Sequence, residues 1–99
     1  MTNRDLLELA AKAEGRTLKY MTQHIEGREP EEFIACWNPL NDDGDALRLA
    51  CRLHINVFIY HDETSTATLG VVAKKWGSVE ANTRRAIVRA AAEIGKAMP

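Results

Sequence analysis

The 99-residue sequence predicts an α+β fold: one domain, with a mainly antiparallel sheet of three or four strands packed with three helices in an α/β/α sandwich. Apolar residues recur with helical spacing in three separated segments, around residues 3–14, 46–53 and 79–98. Between them lie segments that alternate with a period of two or are rich in β-branched and aromatic residues, as strands are. The resulting order is α, β, β, α, β, β, α. Three helices around so few strands place helices on both faces of the sheet.

The first helix begins at Thr2 or Asn3. Asp5 supplies the first-turn negative charge that complements the helix dipole, and Leu6, Leu9, Ala10 and Ala13 share one face. Gly15 ends it. From Thr17 to Ile25, Leu18, Tyr20 and Thr22 alternate with Lys19, Met21 and Gln23, the pattern of a half-buried strand. GREPEE is a polar connection whose proline interrupts any ladder. Phe33 to Trp37 forms a brief strand, which Asn38 and Pro39 bring to an end.

The second helix follows the cluster WNPLNDDGD, with Ala46, Leu47, Leu49, Ala50 and Leu53 toward the core and Arg48 and Arg52 on the opposite side. Ile55 to His61 and Thr68 to Ala73 then form an antiparallel hairpin across the loop DETSTA. Ser78 caps the third helix, Glu80 lies in its first turn, and Ile87, Ala90, Ala91, Ile94 and Met98 form its apolar stripe.

Hydrophobic residues are 45% of the chain and charged ones 27%, the balance of a chain that folds. The longest strongly apolar stretch, Ile55 to Tyr60, is about a third of what a bilayer span requires. The N-terminus carries charges where a signal peptide needs an apolar run. No membrane partner and a cytoplasmic location are therefore expected. In that reducing compartment Cys36 and Cys51, both among apolar neighbours, are read as two reduced core thiols.

The Asn/Asp cluster admits two chemistries. A calcium loop with Gly44 at its sixth position would need ligands at Pro39 and Ala50, and neither side chain supplies one. Helix capping fits instead: Asp42 accepts from the amide three residues on, Asp45 reaches back to the cap amide, and Leu40 packs as a hydrophobic staple. Cys36, Cys51, His54 and His61 lack the paired spacing of a structural zinc site. His61 and Asp62 are adjacent on a strand end and point apart, so they make a poor catalytic pair, and GxSxG, P-loop and dinucleotide signatures are missing. No catalytic residues, metal or cofactor are expected, and the chain is read as non-enzymatic. Trp37 is assigned to the core.

Charge is unevenly distributed although the net charge is only −1: residues 1–73 hold seven Lys/Arg against twelve Asp/Glu, and residues 74–99 hold six against two. Lys74, Lys75, Trp76, Arg84, Arg85 and Arg89 are the candidate binding residues, with Arg85, Arg89 and Lys96 on the side of the third helix opposite its apolar stripe. The stretches NRDLLELAAKA, WNPLNDDGDALRLA and TRRAIVRAAAEIGKAM together resemble small bacteriophage- and prophage-encoded proteins of the phage α/β/α sandwich domain families. The resemblance covers the first and last thirds of the chain. It implies the sandwich fold and a phage origin, and it carries no activity with it. The expectation is an accessory protein that binds a host or phage protein, the alternative being a weak nucleic-acid binder that uses the basic C-terminal quarter.

Overall fold

Thr2 and Asp5 close the start of the first helix reciprocally. The Thr2 hydroxyl accepts the Asp5 amide at 3.1 Å, and the Asp5 carboxylate accepts the Thr2 amide at 2.9 Å. That amide, with the hydroxyl beside it, holds the Asp5 carboxyl below its ordinary range. The helix, α1 (Asn3–Glu14), ends at Gly15, whose φ of +76° suits a residue without Cβ. In this computed structural model, which describes residues 1–60, 63–66, 72–74 and 78–99, the elements that follow are β1 (Lys19–Gln23), β2 (Glu31–Ala35), α2 (Asp43–Arg52), β3 (Val57–Ile59), β4 (Glu63–Thr66), β5 (Val72–Lys74) and α3 (Val79–Ala97).

The chain is thus mixed helix and strand, with three helices and antiparallel pairing, as the sequence predicts. The single sheet is not formed. β1 and β2 make a two-stranded sheet of their own, and β3, β4 and β5 make a second, in that order. The segment read as the loop DETSTA contains β4, which pairs with β3 on one side and β5 on the other. Thr64 and Thr66 are β-branched, and their preference for extended backbone is the local reason a strand forms there. Of the three helices, α3 makes the substantial contacts with the second sheet. The layering is therefore helix, helix and sheet gathered around α3, rather than helices on both faces of one sheet.

Helix α3 is buried around much of its circumference, with Asn82, Ala86, Ile87, Val88, Ala90, Ala91, Ala92 and Gly95 all inaccessible. This is broader than a stripe, and Met98, assigned to that stripe, is exposed. Leu6, Leu7, Ala10 and Ala11 of α1 and Ala46, Leu49 and Ala50 of α2 join it in one core with Trp37 and Ile55. The small side chains allow close helix approach. A Cβ built on Gly95 would lie 2.0 Å from the Leu9 carbonyl oxygen and 2.8 Å from its carbon, so α1 and α3 meet here backbone to backbone.

Trp37 is 4% exposed, as expected of a core residue. The Arg16 guanidinium lies over its ring at 5.1 Å. Arg16 also contacts Glu14 at 3.3 Å, and Arg52 of α2 reaches the same carboxylate at 3.1 Å. The Glu14 side chain is only 2% exposed, so these two cations offset the cost of removing its charge from water. The contact joins the C-terminal ends of α1 and α2 above Trp37.

Three further burial expectations fail for physical reasons. β1 is exposed along its whole length, because β1 and β2 make their principal contacts with each other and only the end of β2, at Ile34 and Ala35, reaches the core. Leu47 lies on the apolar arc of α2 yet is 64% exposed. Cys36 and Cys51 are both exposed. Cys36 adopts a left-handed φ of +64° at the end of β2, and the core position goes to the next residue, Trp37. Cys51 falls four residues after Leu47 on the same outer side of α2.

Substitution of Gly95 by alanine should lower stability by about 1–3 kcal/mol, the cost of forcing extra volume into a packed interface. Urea unfolding of the wild type and Gly95→Ala would measure the loss, which should exceed that of Ala97→Gly on the exposed end of the same helix.

Candidate functional site

The stretch from Trp37 to Asp45 is a polar junction that fixes where α2 begins. Asp42 is the N-cap, as its position predicts, and its Oδ2 accepts the Asp45 amide at 2.8 Å. Asp45 does not reach back to the cap amide. Its Oδ2 accepts the Asn38 amide at 2.9 Å and its Oδ1 accepts from Arg48 at 2.8 Å. The reason is the Asn38–Pro39 turn: Asn38 Oδ1 accepts the Leu40 amide at 3.1 Å, and the Asn38 amide is left facing α2. Burial acts to raise the Asp45 carboxyl, but the Asn38 amide and Arg48 outweigh it and hold it below the ordinary range. Asp43 pairs with Arg84 of α3 at 2.6 Å. Asp43 thus turns to α3, whereas Asp42 and Asp45 both lie near Arg48, at 3.9 and 2.8 Å.

Arg84, read from the sequence as a surface cation, is a structural clamp. Its side chain is only 19% exposed, and besides Asp43 it donates from Nε to the Leu40 carbonyl at 2.8 Å. Both contacts draw the first turn of α2 onto α3. Arg85 is exposed and donates to Asn3 Oδ1 at 3.1 Å. Arg89 and Lys96 are exposed on the same side, and Glu93, four residues from Arg89, stands between them. The basic residues of α3 therefore divide into one clamp and an exposed row interrupted by a carboxylate. Lys74 closes β5, whereas Lys75 and Trp76 lie outside the described residues, as do His61 and Asp62. Cys36, Cys51 and His54 are each exposed, and among the described residues no three His, Cys, Asp or Glu side chains converge.

An apolar recess follows from how α3 distributes its neighbours. α2 and the second sheet both pack on α3, and α2 makes no contact of comparable extent with β3. A trough lies between them. One part, of about 320 Å³, is lined by Asp43, Ala46 and Leu47 of α2, Ile59 of β3, and Val79, Glu80 and Ile87 of α3. It adjoins a second part beyond Leu47, lined by Ala50, Cys51, His54, Ile55 and Val57. Leu47 and Ile59, 64% and 57% exposed, rise from opposite walls. A volume of this size suits a few apolar side chains, and aliphatic walls with charge at one end are the usual composition of a binding cleft.

The sequence could not place this site. Leu47 and Ile59 occur at positions where periodicity indicates burial, and their exposure follows from the gap between α2 and β3. The only local hint is that Leu47 lies at the margin of the apolar arc of α2 and precedes Arg48.

Three measurements test the assignments at the junction. Asp42→Ala should cost about 1 kcal/mol as a lost cap. Because the Asp45 carboxyl is depressed in the folded protein, its stabilisation is full above the unfolded value of about 4 and is lost as pH falls through the folded value. The stability difference between wild type and Asp45→Asn should therefore be largest near neutral pH and shrink below about pH 4. Arg84→Ala should cost about 1.5–3 kcal/mol in chemical denaturation, through two charge-assisted hydrogen bonds. Arg84→Lys should recover less than half of that, since an ammonium cannot span both acceptors as the guanidinium fork does.

No family model, curated protein or solved structure matches the chain, and the trough and its surroundings are interpreted from their own geometry.

Proposed function

We propose that the protein is a non-enzymatic accessory protein of bacteriophage or prophage origin that binds a host or phage protein. One observation supports this most: the trough between α2 and β3, where Leu47, Ile59 and Val79 present exposed apolar surface on a concave face. Concentrated apolar exposure on a folded chain marks an interaction surface, because isolated exposed side chains are ordinary and a lined recess is not. The lining favours binding over chemistry. Its walls are aliphatic, and Asp43 and Arg84 at its end are joined to each other.

A nucleic-acid reading retains Arg85, Arg89 and Lys96, which are exposed on α3. Arg84 no longer contributes to it, since its guanidinium holds Leu40 and Asp43. Fewer phosphate contacts mean a shallower dependence of affinity on salt.

The test is affinity capture from bacterial lysate with the full chain, its Leu47→Asp variant and its Met21→Lys variant. Both substitutions are at exposed positions and should change stability by no more than about 0.5 kcal/mol. We expect one protein to be retained by the wild type and by Met21→Lys and to be lost, by about tenfold or more, on Leu47→Asp, because a charge in an apolar contact loses a buried anchor. Equal retention by all three, no retention above a blank column, or retained nucleic acid that nuclease removes would overturn the reading.

A further inference from the structure

We infer that the trough takes an extended peptide, which adds as a strand along the outer edge of β3 and presents a lysine or arginine to Asp43 and Glu80. This rests on the protein-binding reading and names the class of partner. Three features of the trough lead to it.

The first is the sheet edge. The order β3, β4, β5 leaves β3 with a paired strand on one side only among the described residues. An edge strand presents N–H and C=O groups that a further strand can pair with. Here that strand borders a recess whose far wall is a helix, so an incoming peptide would be held on both sides. A helix seated in the same place would leave the polar edge of β3 against its side chains, at the cost of unpaired backbone groups. Strand addition satisfies them.

The second feature is periodicity. Val57 and Ile59 are two residues apart, so their side chains leave the same face of β3, and both line the trough, on either side of Leu47. An added strand places alternate side chains on that face. Those side chains would meet Leu47, Ile59 and Ile87, covering the two most exposed aliphatic groups of the trough. Main-chain pairing supplies affinity in this mode, and alternate side-chain contacts supply selectivity.

The third is charge. Asp43 and Glu80 lie at one end of the trough, where Arg84 is the one cation among the described lining residues. Arg84 engages Asp43 Oδ1, and the Asp43 side chain remains 72% exposed. Among the described residues, two carboxylates against one cation leave that end negative. The opposite end, lined by His54, Asn56 and Ile55, carries no carboxylate among the described residues. A peptide with a cation at one end and neutral alternate apolar residues along the rest fits that asymmetry, and an acidic peptide is repelled by it.

The experiment uses synthetic peptides of about eight residues, long enough for one strand, with alternating valine and threonine and two lysines at the amino or the carboxyl end. Each is titrated into the ¹⁵N-labelled full chain. Amide shifts should concentrate in Val57–Ile59 and along α2, for one of the two lysine placements. N-methylation of the alternate residues whose N–H groups pair with β3 should weaken binding by about tenfold or more, and N-methylation of the intervening ones by less than about twofold. Replacing the lysines by glutamates, or Leu47 by aspartate in the protein, should also weaken it by about tenfold. Shifts elsewhere, equal effects of the two methylation phases, indifference to lysine and glutamate, or no shift at millimolar peptide would overturn the proposal. So would a concentration-dependent dimer, in analytical ultracentrifugation, that Leu47→Asp abolishes, since a second copy would then occupy the trough. Failure here is separable from failure of the broader reading: a lysate protein lost on Leu47→Asp with no peptide response leaves protein binding intact and removes strand addition alone.

Discussion

The arrangement of this protein depends on the close approach of α1 and α3 at Gly95. A helix pair separated by aliphatic side chains cannot bring backbones together, and here the Leu9 carbonyl occupies the space that any Cβ at position 95 would need. Ala10 and Ala11 of α1, and Ala91 and Ala92 on the Gly95 side of α3, continue that approach. Dispersion contacts in so close a seam are many and individually weak, and their sum falls steeply with small displacements. The burial of α3 around much of its circumference then follows, since α1, α2 and the second sheet all use it as their support.

Attachment of α2 to that support is achieved by polar groups to an unusual degree. Asn38 turns the chain with its own side chain, Asp42 caps the helix, Asp45 receives the Asn38 amide, and Arg84 ties both Leu40 and Asp43 to α3. At the other end of α2, Arg52 shares Glu14 with Arg16, beside Trp37. Polar contacts are directional, so they fix the angle and height at which a helix sits, whereas apolar burial alone leaves both adjustable. With its two ends fixed in this way α2 rests on α3 and stands away from β3. The trough is the space that results.

Exposed apolar surface is also present on the hairpin, where Tyr20, Met21 and Phe33 are open. Arg4 lies over Tyr20 at 5.0 Å and pairs with Glu32 at 2.6 Å, so one side of the hairpin is fastened to α1 by a cation. Its apolar residues are spread over a two-stranded ribbon, whereas those of the trough converge from two walls on one volume. Convergence distinguishes a recess able to exclude water around a ligand from a surface that is merely incompletely covered.

The sequence by itself determined the three helices and, to within a residue or two, where they begin. Thr2, Asp42 and Ser78 cap as their residue types require, Gly15 takes the left-handed conformation, and Trp37 is buried beside its proline turn. These outcomes depend on a few neighbouring residues and on local hydrogen bonds, which spacing reveals. Tertiary structure alone decided that the strands form two sheets, that ETST is a middle strand, that Asp45 bonds to Asn38, that Arg84 is a clamp, and that Leu47 and the two cysteines face outward. Periodicity tells which side of an element is apolar, but an apolar side is buried only if another element arrives to cover it. Nothing local to α2 or β3 specifies the distance between them, which is set by contacts to α3 from residues as far along the chain as Arg84.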